Sequence, residues 1–401
     1  MRMTASVPPD PASTIAIVIT TINNGSFVSG LLPLLAAGDG RVCMIIVGDE
    51  NTPDECGSAL RRAAAEGHDI VWMDVAAQKE WLAQVPGLAG HIPWRSDNRR
   101  NLGMLEAYRR GVDVVVLLDD DNVPVDPADF IGRYGRVGGA LEAFELETPG
   151  PWLNPCELLV CGSAYGDPSQ PVHIFPRGHP VSRRGAERAR RSAAPVRASA
   201  PLHLGLWLGE PDVDAATRAA LAPVVHRASA QAPLFVAPGG LLAMSSQNVA
   251  AARRVVPAWW YVRMGEIVPN VRMDRFGDIL QGCFAARAVA ALGERILVGP
   301  PLVEHRRNPH ALLRDMAFEL PGMVLQEALL DMLEAPVRPA GSYGEAYLRI
   351  ADDLTDLARV AHPLLWGDAL VRWADSTAET MAAWVEACRI LSPDAADAGT
   401  R

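Results

Sequence analysis

Several features are missing from this chain, and each absence excludes a class of protein. No apolar run approaches the roughly 18 residues that cross a bilayer, so no membrane partner is expected. No basic stretch followed by an apolar one marks a signal peptide near residue 1, and the expected location is cytoplasmic. The six cysteines, Cys43, Cys56, Cys156, Cys161, Cys283 and Cys388, form no CxxC pair. They read as buried thiols of a reducing compartment, not as a disulfide framework or a zinc site. Basic residues are in the minority, 37 against 47 acidic ones, for a net charge of −10. A broad nucleic-acid surface is therefore excluded as an expectation. No repeat of fixed period is visible. The first βα turn, Thr21-Ile22-Asn23-Asn24-Gly25, lacks GxGxxG, which argues against a dinucleotide-type Rossmann site.

What is present is a hydrophobic content of 49% over 401 residues, enough for one large α/β domain or one domain with an appendage. The organising stretch is Val114-Val115-Val116-Leu117-Leu118-Asp119-Asp120-Asp121-Asn122. Its apolar run reads as a buried parallel strand. Three carboxylates follow at the strand end, where open α/β sheets bind ligands. Adjacent carboxylates repel one another unless a cation compensates. A hard divalent ion, Mn²⁺ or Mg²⁺, takes oxygen ligands and keeps positions for phosphate oxygens. Residues i and i+2 of an extended chain point the same way, so Asp119 and Asp121 can share one ion, with Asp120 between them a candidate nucleotide contact. A solvated acidic turn is the plainer reading.

Strands are expected at Thr14–Thr20, ending in Thr20, a second candidate nucleotide contact, at Val42–Val47 and at Asp69–Met73. Helices are expected near Phe27–Leu35 and over 54–66. This alternation predicts a parallel sheet. Asp49, after the second strand, is placed either to bind a base or ribose or as a plain loop residue. Ser96 or Asp97 caps a helix that runs to Arg110, with Gly111 as its C′ residue and an apolar side at Leu102, Leu105 and Val112. Arg99 and Arg100, near its start, are either phosphate ligands or surface residues. Further on, strand-like segments occur at Leu202–Leu208 and on either side of Pro238-Gly239-Gly240. Asn248–Val256 is expected to be helical. Trp259-Trp260-Tyr261 serve either a sugar or the core. Asp278 opens an apolar helix as an N-cap or as an acid facing the sugar. Ile296–Val298 and Leu302–Val303 flank Gly299-Pro300-Pro301, and His305 follows. An imidazole there is either structural or completes a metal site begun by carboxylates. The expected organisation is a tail at 1–12, an α/β domain at 13–310, a helical C-terminal region at 311–392 broken near Pro336–Gly341 and at Pro363, and a tail at 393–401. Self-association through the helical region is plausible from sequence.

With these pieces placed, the chain resembles the reversibly glycosylated polypeptides, the flavin-independent UDP-arabinopyranose mutases best known from plants. The likeness runs in order from about residue 14 to 325. The family's "IDDDCFVAKDP" is similar to LLDDDNVPVDP here, and its "VRGYPFSLREG" to PRGHPVSRRG, which ends at Gly185. Its "GLWLNIPDYDAPT" is similar to GLWLGEPDVDAAT at 205–217, its "RYDDMWAGW" to RFGDILQGC at 275–283, and its "YIYHSKASNP" to LVEHRRNP at 302–309. The RGxP loop together with GLWLxxPDxDAxT is the specific part. The Ala- and Arg-rich composition suits a GC-rich bacterial genome, hence a distant, bacterial-type member.

The resemblance implies a glycosyltransferase-A-like fold and a nucleotide-diphosphate sugar as substrate. It implies metal ligation by His305 with Asp119 and Asp121, and no flavin. It also implies that Arg177 matches an arginine that becomes glycosylated, with Arg184 a second functional arginine. The implied reaction is pyranose–furanose interconversion of a UDP- or GDP-linked sugar. The alternatives are transfer to an acceptor and a non-catalytic, self-glycosylated binding subunit. Two departures stand out: Gly277 replaces the first acid of the family's motif, leaving Asp278 alone, and the WAGW tryptophans are absent.

Overall fold

The computed structural model describes residues 13–167, 170–185, 188–265, 271–308, 311–361 and 365–392. The stretches expected as tails, 1–12 and 393–401, lie outside the described residues, as does Pro363.

The chain opens with β1 (Ile15–Thr20), α1 (Val28–Ala37), β2 (Val42–Val47), α2 (Asp54–Ala65) and β3 (Ile70–Met73). β2 pairs in parallel with both β1 and β3. β1 and β2 are apolar without alternation because both of their faces are covered. A 3₁₀ turn at Asp97–Arg99 is capped by Ser96, whose Oγ accepts from the Asn98 N–H at 3.2 Å. It leads into α3 (Arg100–Arg109). Gly111, at φ 73°, takes the left-handed position that ends this helix without the Cβ penalty. The expected one-sided α3 is instead buried from Arg100 to Ala107. The C-terminal helices cover its outer side, and Glu106 is tolerated there because Trp81, Arg109 and Arg110 donate to it at 2.9, 2.9 and 2.7 Å.

β4 (Val114–Leu118) pairs in parallel with β1 and is buried throughout. Each of its side chains contributes roughly 2 kcal/mol of burial, which anchors the costly acids at its end. β5 (Asn122–Pro124), β6 (Leu202–Gly209), β7 (Asn248–Ala252), α4 (Gly277–Ala291) and β8 (Ile296–His305) follow. Across the sheet the order is β3-β2-β1-β4-β7-β6-β8. β7 runs against its neighbours β4 and β6, and the others share one direction, with β6 and β8 parallel. The architecture is a mixed, mostly parallel sheet flanked by helices, with a helical C-terminal region.

Three expectations are corrected here. Asn248–Val256 is not a helix: its first part is β7, paired on both edges, and a 3₁₀ turn spans Arg253–Ala258. Alanine favours helix by only tenths of a kcal/mol per residue, and two ladders with complete burial outweigh that. The two segments around Gly299-Pro300-Pro301 form one strand. The register against β6 jumps from Leu204↔Val298 to Leu206↔Leu302, and this bulge absorbs the Gly-Pro-Pro step. The segments around Pro238–Gly240 are strands, but Leu234–Val236 joins the main sheet while Leu241–Leu242 pairs with Trp152–Leu153.

The C-terminal region comprises α5 (Leu312–Ala328), a short helix at Leu330–Glu334, α6 (Tyr343–Ala361) and α7 (Asp368–Leu391). α6 packs on α4, and α7 on α3. Trp384 stacks on Trp260 at 5.2 Å between centroids and donates its indole N–H to the Val256 carbonyl at 2.7 Å. One hydrophobic core runs from β1 through Leu391. Trp259 and Trp260 belong to it and do not reach the ligand cavity. Among the described residues no helix is long and apolar enough to cross a membrane.

Candidate active site

A cavity of about 620 Å³ opens at the carboxyl ends of β1, β4 and β8, where an open α/β sheet binds its ligands. The acid triplet sits on one wall. Asp120 accepts from Thr21 Oγ1 at 2.5 Å and Asn23 Nδ2 at 2.8 Å. It thereby ties the first βα turn to the end of β4. Burial pushes its carboxyl up to about 6.

Asp119 meets a cation of the chain itself. Arg100 donates to Asp119 Oδ1 at 2.5 Å, to Thr20 Oγ1 at 3.0 Å and to the Ser246 carbonyl at 2.8 Å. Burial raises the Asp119 carboxyl, Arg100 opposes that, and Asp121 adds to it. Asp121 faces His305, whose Nε2 lies 3.4 Å from Oδ2. The Nδ1 of His305 stands 2.7 Å from the Glu210 carbonyl oxygen. A carbonyl can only accept, so Nδ1 carries the proton and Nε2 is directed at Asp121. A neutral ring then sets two acceptors face to face, an arrangement that a proton or a cation between them resolves. Burial works against a charged His305, but Asp121 outweighs it and raises the ring above the usual histidine range.

The structure thus unites Asp121 with His305 and takes Asp119 to Arg100. Among the described residues, no three His, Cys, Asp or Glu side chains converge to enclose an ion. The donor chemistry at Asp121 and His305 nevertheless fits a hard or borderline divalent ion, with the Glu210 carbonyl orienting the imidazole.

Arg177 lines the same cavity. Its Nε and Nη2 donate to the two oxygens of Asp212, each at 3.1 Å. Nη1 and Nη2 donate to Asp278 at 3.0 and 2.7 Å, and Nη1 also donates to the Arg275 carbonyl. All five guanidinium N–H groups are therefore bound. Burial lowers the Arg177 guanidinium, but Asp212 and Asp278 outweigh it and raise it well above its ordinary range. Burial raises Asp212, and Arg177 more than reverses this, to about 2. With two carboxylates around one cation, the cluster carries one net negative charge. The loop places Arg177 through Gly178, at φ 83°, where a Cβ would stand 2.3 Å from Ile279 of α4. Asp212 was not singled out in the sequence, although it lies inside the GLWLGEPDVDAAT stretch.

Gly277 now has a physical reason. A Cβ there would come within 2.3 Å of the Val262 carbonyl oxygen and 2.7 Å of the Tyr261 ring. The space of the family's extra acid is taken by Tyr261, which lines the cavity and donates from its hydroxyl to Asp97 at 2.6 Å.

Two expected site residues have other partners in the structure. Arg99 lines the cavity, donates to Gln78 at 2.7 and 2.5 Å and to the Ile92 carbonyl at 3.0 Å, and its guanidinium lies 3.6 Å from the centre of the Trp94 ring. These bonds take three of its five N–H groups and fix the approach to α3. Arg184 does not line the cavity. It donates to Asp214 at 2.8 Å, and Asp214 caps the helix at Ala215–Leu221, so the pair fixes the loop from outside. Asp49 does line the cavity, with its oxygens accepting from the Ser96 and Glu50 N–H groups at 2.9 and 2.7 Å.

The chain is similar to several known proteins. A pea protein named "Probable UDP-arabinopyranose mutase 1" is 26% identical over 231 residues, covering 56% of this chain and 58% of its own length. "UDP-arabinopyranose mutase 1" of Arabidopsis thaliana is 24% identical over 285 residues, covering 70% of each chain. Against the pea relative and two potato relatives, the chain spans 56 to 58% of the relative's length. Among solved structures, a mannosyltransferase from Pyrobaculum calidifontis in complex with GDP-Man and Mn²⁺ superposes with a TM-score of 0.37 at 12% identity, covering 97% of this chain and 90% of that one. The profile described as "Reversibly glycosylated polypeptide" matches residues 163–393, which includes the Arg177 loop, Asp212, Asp278, His305 and the C-terminal helices beyond the motifs legible in sequence. On that match, more than half of its length, the chain belongs to the reversibly glycosylated polypeptide family.

Proposed function

We propose that this protein interconverts the pyranose and furanose forms of a UDP- or GDP-linked sugar, without a flavin, by breaking and remaking the anomeric C1–O bond. The observation that carries the reading is that one cavity holds two differently charged groups of residues. Asp121 and His305, suited to a divalent ion such as Mn²⁺, line it together with Arg177 and Asp278, whose cluster with Asp212 is net negative. Bond cleavage separates charge in the same sense, leaving a diphosphate anion and a cationic C1. A divalent ion held by Asp121 and His305 would supply positive charge to the diphosphate when bound.

The negative cluster favours the cation developing at C1, and being preorganised it need not reorient during the step. All donors of Arg177 face carboxylates or a carbonyl, which leaves none for the diphosphate. Covalent capture of C1 by an Arg177 nitrogen requires that nitrogen to lose a proton as the N–C1 bond forms and the C1–O bond breaks. Asp278, 2.7 Å from Nη2, is positioned to take it. The same engagement of Asp278 with Arg177 weighs against its use as general base for an external acceptor. All six cysteines are buried and unpaired, which supports a reducing, cytoplasmic setting.

The test is proton NMR of the anomeric signals with Mn²⁺, no acceptor, and UDP- and GDP-linked pyranoses and furanoses in turn. Ring-form conversion without nucleotide release is expected. Release of free nucleotide, or binding without conversion, would overturn the mutase reading. Arg177→Ala is expected to abolish turnover, and restored turnover in Arg177→Lys would remove the covalent-arginine step.

A further inference from the structure

Arg307 lines the same cavity and, unlike three of its arginines, has no carboxylate at hydrogen-bond distance among the described residues. Arg100 is bound to Asp119, Arg177 to Asp212 and Asp278, and Arg275 to Glu319 at 2.8 Å. The Arg307 side chain is only 7% exposed, yet among the described residues its Nε has no hydrogen-bond partner. Its carboxylate neighbour Asp315 stands 3.8 Å from Nη2, beyond hydrogen-bonding reach. Arg218, Arg275 and Arg177 lie around it, with Asp212 as the opposing charge. A buried cation with an unmet donor and cationic neighbours is unfavourable by itself. Such an arrangement is relieved by an anion, and a planar guanidinium with free N–H groups matches phosphate oxygens.

We propose that Arg307 is the chain's own counter-charge for the diphosphate of the substrate, the role the sequence had suggested for Arg99 and Arg100. The proposal rests on reading the cavity as a nucleotide-sugar site and assigns the anionic end of that substrate. Arg307 follows His305 by two residues at the end of β8, so the charge that receives the leaving group is set beside the candidate ion site. During ring opening no covalent bond need tether the diphosphate, and a buried guanidinium keeps it within reach of C1.

The test uses the full chain and Arg307→Met, which preserves bulk and removes charge, with Arg307→Lys as the conservative variant. Calorimetric titration is run with inorganic pyrophosphate, UDP, GDP and uridine in metal-free buffer, alongside thermal melting of the unliganded proteins. Arg307→Met should bind pyrophosphate and UDP or GDP at least about tenfold more weakly, leave uridine binding unchanged, and melt no lower than the parent. Arg307→Lys should recover part of the affinity. Equal pyrophosphate binding by parent and Arg307→Met, no pyrophosphate binding by the parent, or a lowered melting temperature with uridine binding equally lost would overturn the proposal. If pyrophosphate binding depends on Arg307 while neither UDP nor GDP binds more tightly than pyrophosphate, the anion site stands and the nucleotide-sugar reading falls.

Discussion

Replacing Arg177 by methionine removes the one cation that Asp212 and Asp278 share, and the consequence can be worked through as a cycle. Both carboxylates lie within 3.1 Å of the same Nη2, so they are within about 6 Å of each other, close enough to repel strongly once the guanidinium is gone. Both are at most 5% exposed. Breaking a buried pair by removing one partner costs about 3–5 kcal/mol, and the triad with two stranded acids belongs at the upper end. Asp212→Asn in the parent should cost less, about 2 kcal/mol. Asp278 still holds Arg177, and the lost share matches the fall of the Asp212 carboxyl from 3.8 to about 2 at 1.36 kcal/mol per unit. In the Arg177→Met background the same Asp212→Asn change removes a repelling charge and should stabilise by about 1–2 kcal/mol. The sign of one substitution therefore reverses with the state of residue 177. Urea denaturation of the four proteins at pH 7 reads the cycle. Asp212→Asn destabilising both backgrounds equally would refute the shared-cation account, because the two sites would then not be coupled.

Other predictions follow from single positions. Gly277→Asp, which restores the family's missing acid, should destabilise by about 2–3 kcal/mol through overpacking against Val262 and Tyr261, and an unchanged urea midpoint would contradict it. Trp384→Ala should cost about 3–5 kcal/mol, read by thermal melting, because it empties a core site between α7 and Trp260 and removes one of the two donors to the Val256 carbonyl. His203 is 1% exposed, and burial pushes its ring down to about 3 from 6.5. The unfolded state therefore binds the extra proton first, and this ring's contribution to stability is lost as pH falls below about 6.5. Between pH 7 and 5 that is about 2 kcal/mol. Denaturation of His203→Leu at both pH values should show a pH loss smaller by that amount, and an identical loss would show that His203 is not held neutral.

How much of this was readable beforehand depended on whether a feature was local. The parallel strands β1, β2 and β4 were legible because burial on both faces leaves a continuous apolar run, and the acids directly after β4 marked the ligand end of the sheet. The Ser96 cap and the Gly111 stop were legible because backbone geometry within a few residues dictates them. β7 was misread because its alanines favour helix locally, while its neighbours in the sheet, β4 and β6, come from distant parts of the chain. Arg99, near a helix start, was open to a phosphate or to the surface, and Arg184 came from the family likeness. The partners they meet, Gln78 and Asp214, are not written nearby.

By itself, then, the sequence determined the layered α/β frame, the position of the carboxylate end, and the set of charged residues available to it, since strand burial, capping and turn chemistry act over short stretches. Only the tertiary structure decided how those charges are matched. Asp119 went to Arg100, Asp121 to His305, and Arg177 to both Asp212 and Asp278, while Arg307 remained without a carboxylate at hydrogen-bond distance among the described residues. The physical reason is that ion pairing depends on distance in space and on local dielectric, and both are set by packing between segments far apart in the chain.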